Sequence, residues 1–295
     1  MYKSDRITQY VSHVFLAILA AGSIIPFIIL VASSLTEEAS ILKDGYAFWP
    51  KEFSLAAYEY LFNNSASIVR AYGITVFVTV IGTVSSLAIT SLLAYALSRR
   101  DLPYRNVFAF FVFFTLLFNG GLVPTYLVYT QNFDVKNTIW ALIVPGLLMN
   151  GFNVLLMRTF FITSIPEPVI ESARMDGAGE FRTFFSIILP LSLPILATIG
   201  LLQTIGYWND WFNGLIYITE PSLFSIQNML NRMLQDIQFL ATSNLGSNTS
   251  TAAAQIPTTG VRMAIAVIGV LPILIAYPFF QKYLVKGIAL GSVKG

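Results

Sequence analysis

Polar side chains set in apolar surroundings are where this sequence could do chemistry. Gln203, Tyr207, Asp210 and Asn213 recur at helical spacing on one face of an otherwise apolar stretch, and Trp208 and Trp211 flank them. Asn150 and Asn153 stand in the preceding apolar stretch, and Asn119 in the one before that. Polar groups inside apolar helices are costly and often mark a pathway. Aromatic rings beside amides and a carboxylate suit a polyhydroxylated ligand, whose hydroxyls pair with the polar groups while its C–H faces stack on the rings. The same residues fit helix–helix packing held by interhelical hydrogen bonds. Asp210 is the strongest single candidate, because an unpaired carboxylate there is penalised most; it also fits a role as anchor of its helix.

A second concentration of charge lies in residues 161–190, FITSIPEPVIESARMDGAGEFRTFFSIILP. Ser164 and Glu167 have the spacing of a capping box. A short helix is expected from Ile165 to Met175, with Pro166 tolerated in its first turn. Asp176-Gly177 signals a turn, since glycine accepts positive φ without a Cβ clash. A second short helix is expected from about Glu180 to Leu189, ended by Pro190. Glu167, Glu171, Asp176 and Glu180 would then stand beside Arg174 and Arg182 on a helix–turn–helix elbow. An ordinary amphipathic interfacial loop fits the same pattern.

Much chemistry is excluded. The chain has no cysteine, which removes disulfides, thiolate catalysis and Cys-ligated metals. His13 is its single histidine, so an ordinary His/Cys zinc site cannot be assembled, nor a nucleophile–histidine pair. No G-x-x-x-x-G-K-[ST] phosphate loop occurs, so the chain is not itself expected to hydrolyse ATP. A net charge of +2 gives no reason to expect a nucleic-acid partner.

The elements that must position these residues follow from hydropathy. Of the 295 residues, 56% are hydrophobic and 11% charged, with mean hydropathy +0.70. A soluble domain carries about 25% charged residues, so lipid must cover part of this surface. A bilayer core needs about 20 apolar residues per helix. Six stretches qualify, at about 11–34, 71–97, 107–129, 138–160, 191–218 and 261–281, and they predict an all-α membrane protein. The third is interrupted by Gly120, Gly121 and Pro124. Lys3, Arg6, Arg99, Arg100, Arg105, Arg158, Arg174, Arg182, Lys282, Lys286 and Lys294 fall on one side. Lys43, Lys51, Arg70, Lys136, Arg232 and Arg262 fall on the other. That asymmetry predicts cytoplasmic termini, with outside segments at about 35–70, 130–137 and 219–260. The first apolar run is longer than a signal-peptide core and is expected to be retained. Residues 36–70, with Phe48, Trp49, Pro50, Tyr58 and Tyr60, suit a small interfacial cap. Residues 243–260 are small, polar and nearly uncharged, fitting a mobile outside loop or a contact for an outside partner. No internal repeat is visible.

Three groups of residues carry a resemblance. Glu171-Ser172-Ala173, Asp176-Gly177-Ala178 and Ile188-Leu189-Pro190 resemble the EAA motif of binding-protein-dependent ABC importers, with Ser172 in place of the commoner alanine. Residues 118–126 (FNGGLVPTY), 207–213 (YWNDWFN) and the 281–295 tail are similar to the carbohydrate-uptake branch of that family. The chain is most similar to the smaller, maltose-type permease subunit, in the subgroup serving complex polysaccharides in Gram-positive bacteria. The resemblance implies a type I importer transmembrane domain occupying 1–295, in the plasma membrane. It implies that 161–190 is the coupling elbow docking on a cytoplasmic ATPase. There Glu167, Glu171, Ala173, Arg174, Asp176, Gly177 and Ala178 would form the contact, with Glu171 meeting a basic residue. The implied partners are a second permease, two copies of an ABC ATPase, an extracytoplasmic solute-binding protein, and a sugar or oligosaccharide. ATP and magnesium would belong to the ATPases, and this chain would bind no cofactor and catalyse nothing. The alternatives are an importer of the same class for a peptide or osmolyte, and a secondary transporter driven by an ion gradient.

Overall fold

A computed structural model of the chain describes residues 3–63, 65–242 and 258–292. Among them there is no strand, only an isolated antiparallel bridge between Thr36 and Phe53. The chain divides into two compact units, residues 1–68 with 230–272, and residues 69–229 with 273–295.

In the first unit, α1 (Lys3–Ser34) contains the apolar span Thr8–Ser34. Its long apolar stretch is unburied, as expected of a helix whose solvent is lipid. At its end Ser34 bonds the Tyr58 hydroxyl at 2.9 Å, and the Thr36 hydroxyl donates to the Ala32 carbonyl. Two short helices follow, α2 (Glu38–Asp44) and α3 (Ala56–Phe62), burying Ile41, Ala57 and Leu61. They lie in the aromatic segment 36–70.

The second unit is built on α4 (Ser65–Ser98), whose apolar span Ala66–Ser98 matches the second predicted stretch. Its buried face is small and hydroxylated, with Thr75, Thr79, Ser86, Thr90 and Ser91. Such faces let helices approach closely. Here the Tyr207 ring occupies the space a Cβ on Gly82 would need, with ring carbons 2.5–2.7 Å away.

The third, fourth and fifth predicted spans are not continuous, and each break has a local cause. α5 (Arg105–Leu117) stops at Phe118, and α6 (Leu122–Leu127) restarts at a 114° bend and runs into a π turn over Val128–Asn132. Gly121 at φ +86° makes the corner, and the Asn119 side chain accepts its N–H at 2.8 Å. The expected fourth helix divides into α7 (Trp140–Ile143) and α8 (Gly151–Ser164), with Pro145 and Gly146 (φ +72°) between them. Asn150 starts α8 by accepting the N–H groups of Phe152 and Asn153, as an N-cap does. Gly151 lets α8 sit against α5, since a Cβ there would lie 3.0 Å from the Val112 carbonyl.

α8 ends four residues later than expected and is followed by α9 (Glu167–Met175). α10 (Glu180–Thr183), a π turn over Phe184–Ile188 and α11 (Leu189–Leu191) run on continuously. The break comes at Ser192 rather than Pro190, and α12 (Leu193–Trp208) leaves at an 81° bend. α12 stops at Trp208, and α13 (Phe212–Tyr217) begins afresh. Beyond a 3-10 turn at Pro221–Leu223, α14 (Ile226–Thr242) is helical where a loop was expected. Its apolar residues Ile226, Met229 and Leu230 are buried at helical spacing. Residues 243–257, most of the polar 243–260 segment, lie outside the described residues. α15 (Thr258–Ser292) contains the sixth predicted stretch, and in the first unit Glu38 accepts the Thr259 and Gly260 N–H groups at its start, both at 2.9 Å.

By length and composition, Thr8–Ser34 and Ala66–Ser98 can each cross a membrane unaided. The pairs Arg105–Leu117 with Leu122–Asn132 and Glu180–Leu191 with Leu193–Trp208 qualify only as broken spans, and Thr259–Ile275 is a shorter apolar helix.

Candidate functional site

The elbow is built around α9. The expected capping box does not form: Ser164 is the last residue of α8, and Pro166 (ψ 130°) is the N-cap. The cause is Pro166, which disfavours helical backbone at Ile165 before it. Glu167 pairs instead with Arg100 at 3.3 Å. The turn after α9 does follow the sequence reading. Gly177 has φ +77°; its N–H donates to the Arg174 carbonyl at 3.0 Å, and the Ala178 N–H to the Ala173 carbonyl at 2.9 Å. This is a Schellman motif, which requires the left-handed residue that glycine supplies.

One face of the elbow is fastened down. Ile170 and Ala173 are buried, Ile170 in a core with Ala94, Tyr95, Met157, Phe161, Phe184 and Ile188. Arg174 donates to Asp101 at 2.5 Å and to Glu180 at 2.6 Å. The Tyr95 hydroxyl donates to the other Glu180 oxygen at 2.5 Å, and Arg99 pairs with Asp101 at 3.3 Å. The hydrogen bond from Arg174 holds the Asp101 carboxyl below the usual range. The bonds from Tyr95 and then Arg174 do the same for Glu180. The Arg174 guanidinium is correspondingly raised. The opposite face is open. Glu171 and Asp176 are exposed and form no ion pair among the described residues, and Met175 (83%) and Phe181 (75%) stand in solvent.

The polar residues of the fifth stretch lie differently from the single helical face expected. Gln203 and Tyr207 are on α12, whereas Asp210 and Asn213 come after the helix has ended. Asp210 caps α13, its Oδ1 accepting from Phe212 and Asn213 N–H groups at 3.1 and 3.2 Å. That cap is why the helix restarts. Gln203 donates to the Ser86 hydroxyl and to the Leu147 carbonyl at 3.3 Å. The Tyr207 hydroxyl donates to the Ile143 carbonyl at 3.0 Å, and Asn213 to the Pro145 carbonyl at 2.9 Å. These side chains therefore satisfy carbonyls of the broken 143–150 segment. Irregular backbone at membrane depth needs such partners. Trp208 and Asn153 are buried, Asn150 is spent on its cap and Asn119 on the Gly121 turn. Trp211 keeps an exposed ring.

Sequence reasoning missed Tyr95, Asp101 and the Asp101–Arg174–Glu180 triad. Asp101 directly after Arg99 and Arg100 was the available signal, but its partner is 73 positions away. No periodicity connects the two.

Comparison with known proteins places this architecture. The family model described as "Binding-protein-dependent transport system inner membrane component" matches residues 54–290, which include the elbow, the broken helices and most of α15. The chain belongs to that family. Two Bacillus subtilis (strain 168) relatives are each 37% identical to this permease. One is Protein LplC, over 99% of this chain and 97% of its own. The other is the polygalacturonan/rhamnogalacturonan transport system permease protein YtcP, over 99% of both chains. Among solved structures, a chain from a bacterial ABC transporter involved in import of the acidic polysaccharide alginate superposes with TM-score 0.79 at 32% identity. That match covers 96% of this permease and 98% of the other chain. The permease is thus an all-α membrane component of a binding-protein-dependent ABC importer.

Proposed function

We propose that this permease carries sugars or oligosaccharides inward, driven by ATP hydrolysed on partner subunits. The observation that carries the reading is the two-faced elbow. One face is locked to the ends of α4, α8 and α10, while the other exposes Glu171, Met175 and Phe181. A rigid lever with an acidic and apolar outer face suits docking on a cytoplasmic ATPase, whose basic residue would pair Glu171. Rigidity matters because a push on the elbow must reach α12 without being absorbed at the turn. The carbohydrate assignment rests on the relatives, whose names specify polygalacturonan, rhamnogalacturonan and alginate.

In this reading residues 1–295 form one type I transmembrane domain of six spans. The bent pair α5–α6 counts as the third span, α7 with α8 makes the fourth, and the fifth runs from about 191 to 218, beginning with α12. Both termini and the elbow are cytoplasmic. A second permease completes the path, two ATPase copies holding ATP and magnesium bind beneath, and an extracytoplasmic binding protein delivers the ligand. Trp211 has the exposed ring suited to stacking on a sugar, with Asn119, Asn150, Asn153, Trp208 and Asp210 as further candidates. Gln203, Tyr207 and Asn213 act behind them, holding the break in shape.

The test is uptake by the reconstituted importer with its binding protein, supplied with labelled oligosaccharide. Uptake that requires ATP and survives collapse of ion gradients is expected. Uptake driven by an ion gradient without ATP would overturn the reading.

A further inference from the structure

Between the start of the elbow and the ends of α4 and α8 is a cavity of about 660 Å³. Arg99, Arg100 and Arg105 contribute its charge, Ser98, Thr163 and Ser164 its hydroxyls, and Phe161, Ile162, Ile165 and Ile170 an apolar wall. Glu167 is the one carboxylate lining it. Arg99 is paired with Asp101, and Arg100 and Arg105 against Glu167 still leave the pocket net positive.

Its position follows from the helices that end there. The apolar span of α4 ends at Ser98, α5 begins at Arg105, and α8 ends at Ser164. Three apolar helices thus meet the pocket at their polar ends, which puts it at the membrane–water boundary of this membrane component. Ile162 is 45% exposed at the pocket's rim, while Phe161, Ile165 and Ile170 behind it are buried. A cationic mouth with an exposed apolar side chain at its rim, at the membrane boundary, matches an amphiphile with a negative head.

The arginines are available for an anion. Arg100 is 75% exposed, and its pair with Glu167 is long at 3.3 Å and solvated; exposed pairs of this kind contribute little and exchange readily. Among the described residues Arg105 makes only a 3.5 Å contact to the Arg99 carbonyl. Arginine forks match phosphate oxygens in geometry, and basic pockets between membrane helices on the cytoplasmic side bind anionic headgroups.

We propose that this pocket binds a phosphate ester through Arg100 and Arg105, supplied at this depth by the headgroup of an anionic phospholipid. The inference does not depend on the transported ligand or on the coupling role of the elbow.

Purified full-length permease, in the complex it forms, would be examined by native mass spectrometry with phosphatidylglycerol or phosphatidylcholine. In parallel, labelled inorganic phosphate would be tested by equilibrium dialysis. Preferential retention of phosphatidylglycerol is expected, falling about tenfold or more in R100Q/R105Q and restored in R100K/R105K. Phosphate binding lost in R100Q/R105Q, without a lipid preference, would support the same site with a soluble phosphate as its source. Absence of both would overturn the proposal. So would a lipid preference unchanged in R100Q/R105Q, or loss of a co-purifying ATPase in that variant with lipid retention intact, which would make the arginines a protein contact. Retained thermal stability of R100Q/R105Q is the folding control, and the single variant R105Q carries the same test of lost retention if the double variant fails to fold.

Discussion

At the scale of single residues, Gly177 and Arg174 hold the elbow in shape by different means. A Cβ at Gly177 would meet nothing within 4 Å, so the demand for glycine comes from its φ of +77° alone. Left-handed backbone costs a non-glycine residue roughly 1–2 kcal/mol, and a β-branched one more. Gly177→Val is therefore expected to leave the protein folded but loosen the Schellman turn. ATP hydrolysis by the assembled importer should persist while uptake falls severalfold, and wild-type uptake in vesicles would count against the coupling role. Arg174 works through charge. Asp101 and Glu180 have lowered pKa values, so their contribution is complete above the ordinary carboxylate range and is lost as pH falls below it, through the lowered values. Arg174 is 39% exposed and Asp101 53%, so screening limits the pair to at most about 1 kcal/mol. Protection of residues 167–183 against hydrogen exchange, measured relative to the intrinsic rate at each pH, should fall on acidification in the wild type, and Glu180→Gln should flatten that dependence by removing a titrating partner. The pH response stands or falls on that flattening.

Elements show why apolar stretches became broken helices. Continuity of a helix depends on local backbone chemistry, and Gly121, Pro145-Gly146, Asn150 and Asp210 each supply a stop or a cap. What keeps the breaks from being ruinous is remote. Tyr207, Gln203 and Asn213 lie 56–68 positions from the carbonyls they satisfy. Tyr207→Phe removes one such bond and is expected to cost about 1 kcal/mol, read as a lowered melting temperature in detergent. Substrate affinity should stay unchanged if Tyr207 acts only on the break; a large rise in the transport constant without loss of stability would put it in the path instead. Gly82→Ala attacks the same seam from α4. Its Cβ collides with the Tyr207 ring, and overpacking of this kind costs about 1–3 kcal/mol. Its melting temperature should fall at least as far as that of Tyr207→Phe.

For the whole molecule, the class was legible early because it depends on sums. With 56% hydrophobic residues and so few charges, no soluble core can hide the apolar surface, and lipid exposure of α1 and α4 follows from composition. The EAA-like residues were legible because the Schellman turn is local: Asp176 and Gly177 adjoin the helix they end. Fusions of a cytoplasm-active reporter to residues 63 and 190 should give opposite signals, with activity only at 190, if the six-span topology holds. Equal activity at both positions would reject it.

The sequence by itself determined that this is a helical membrane protein, roughly where its apolar stretches lie, and that a glycine turn punctuates residues 161–190. Those features rest on composition and near-neighbour backbone preferences, which residue order states directly. Only the tertiary structure decided that Arg174 would reach Asp101 and Glu180, and that Gln203, Tyr207 and Asn213 would serve broken backbone rather than share one face with Asp210. A polar side chain in an apolar stretch must find a partner, but the sequence does not say which. That choice is made when distant helices pack and bring one set of unsatisfied carbonyls within reach.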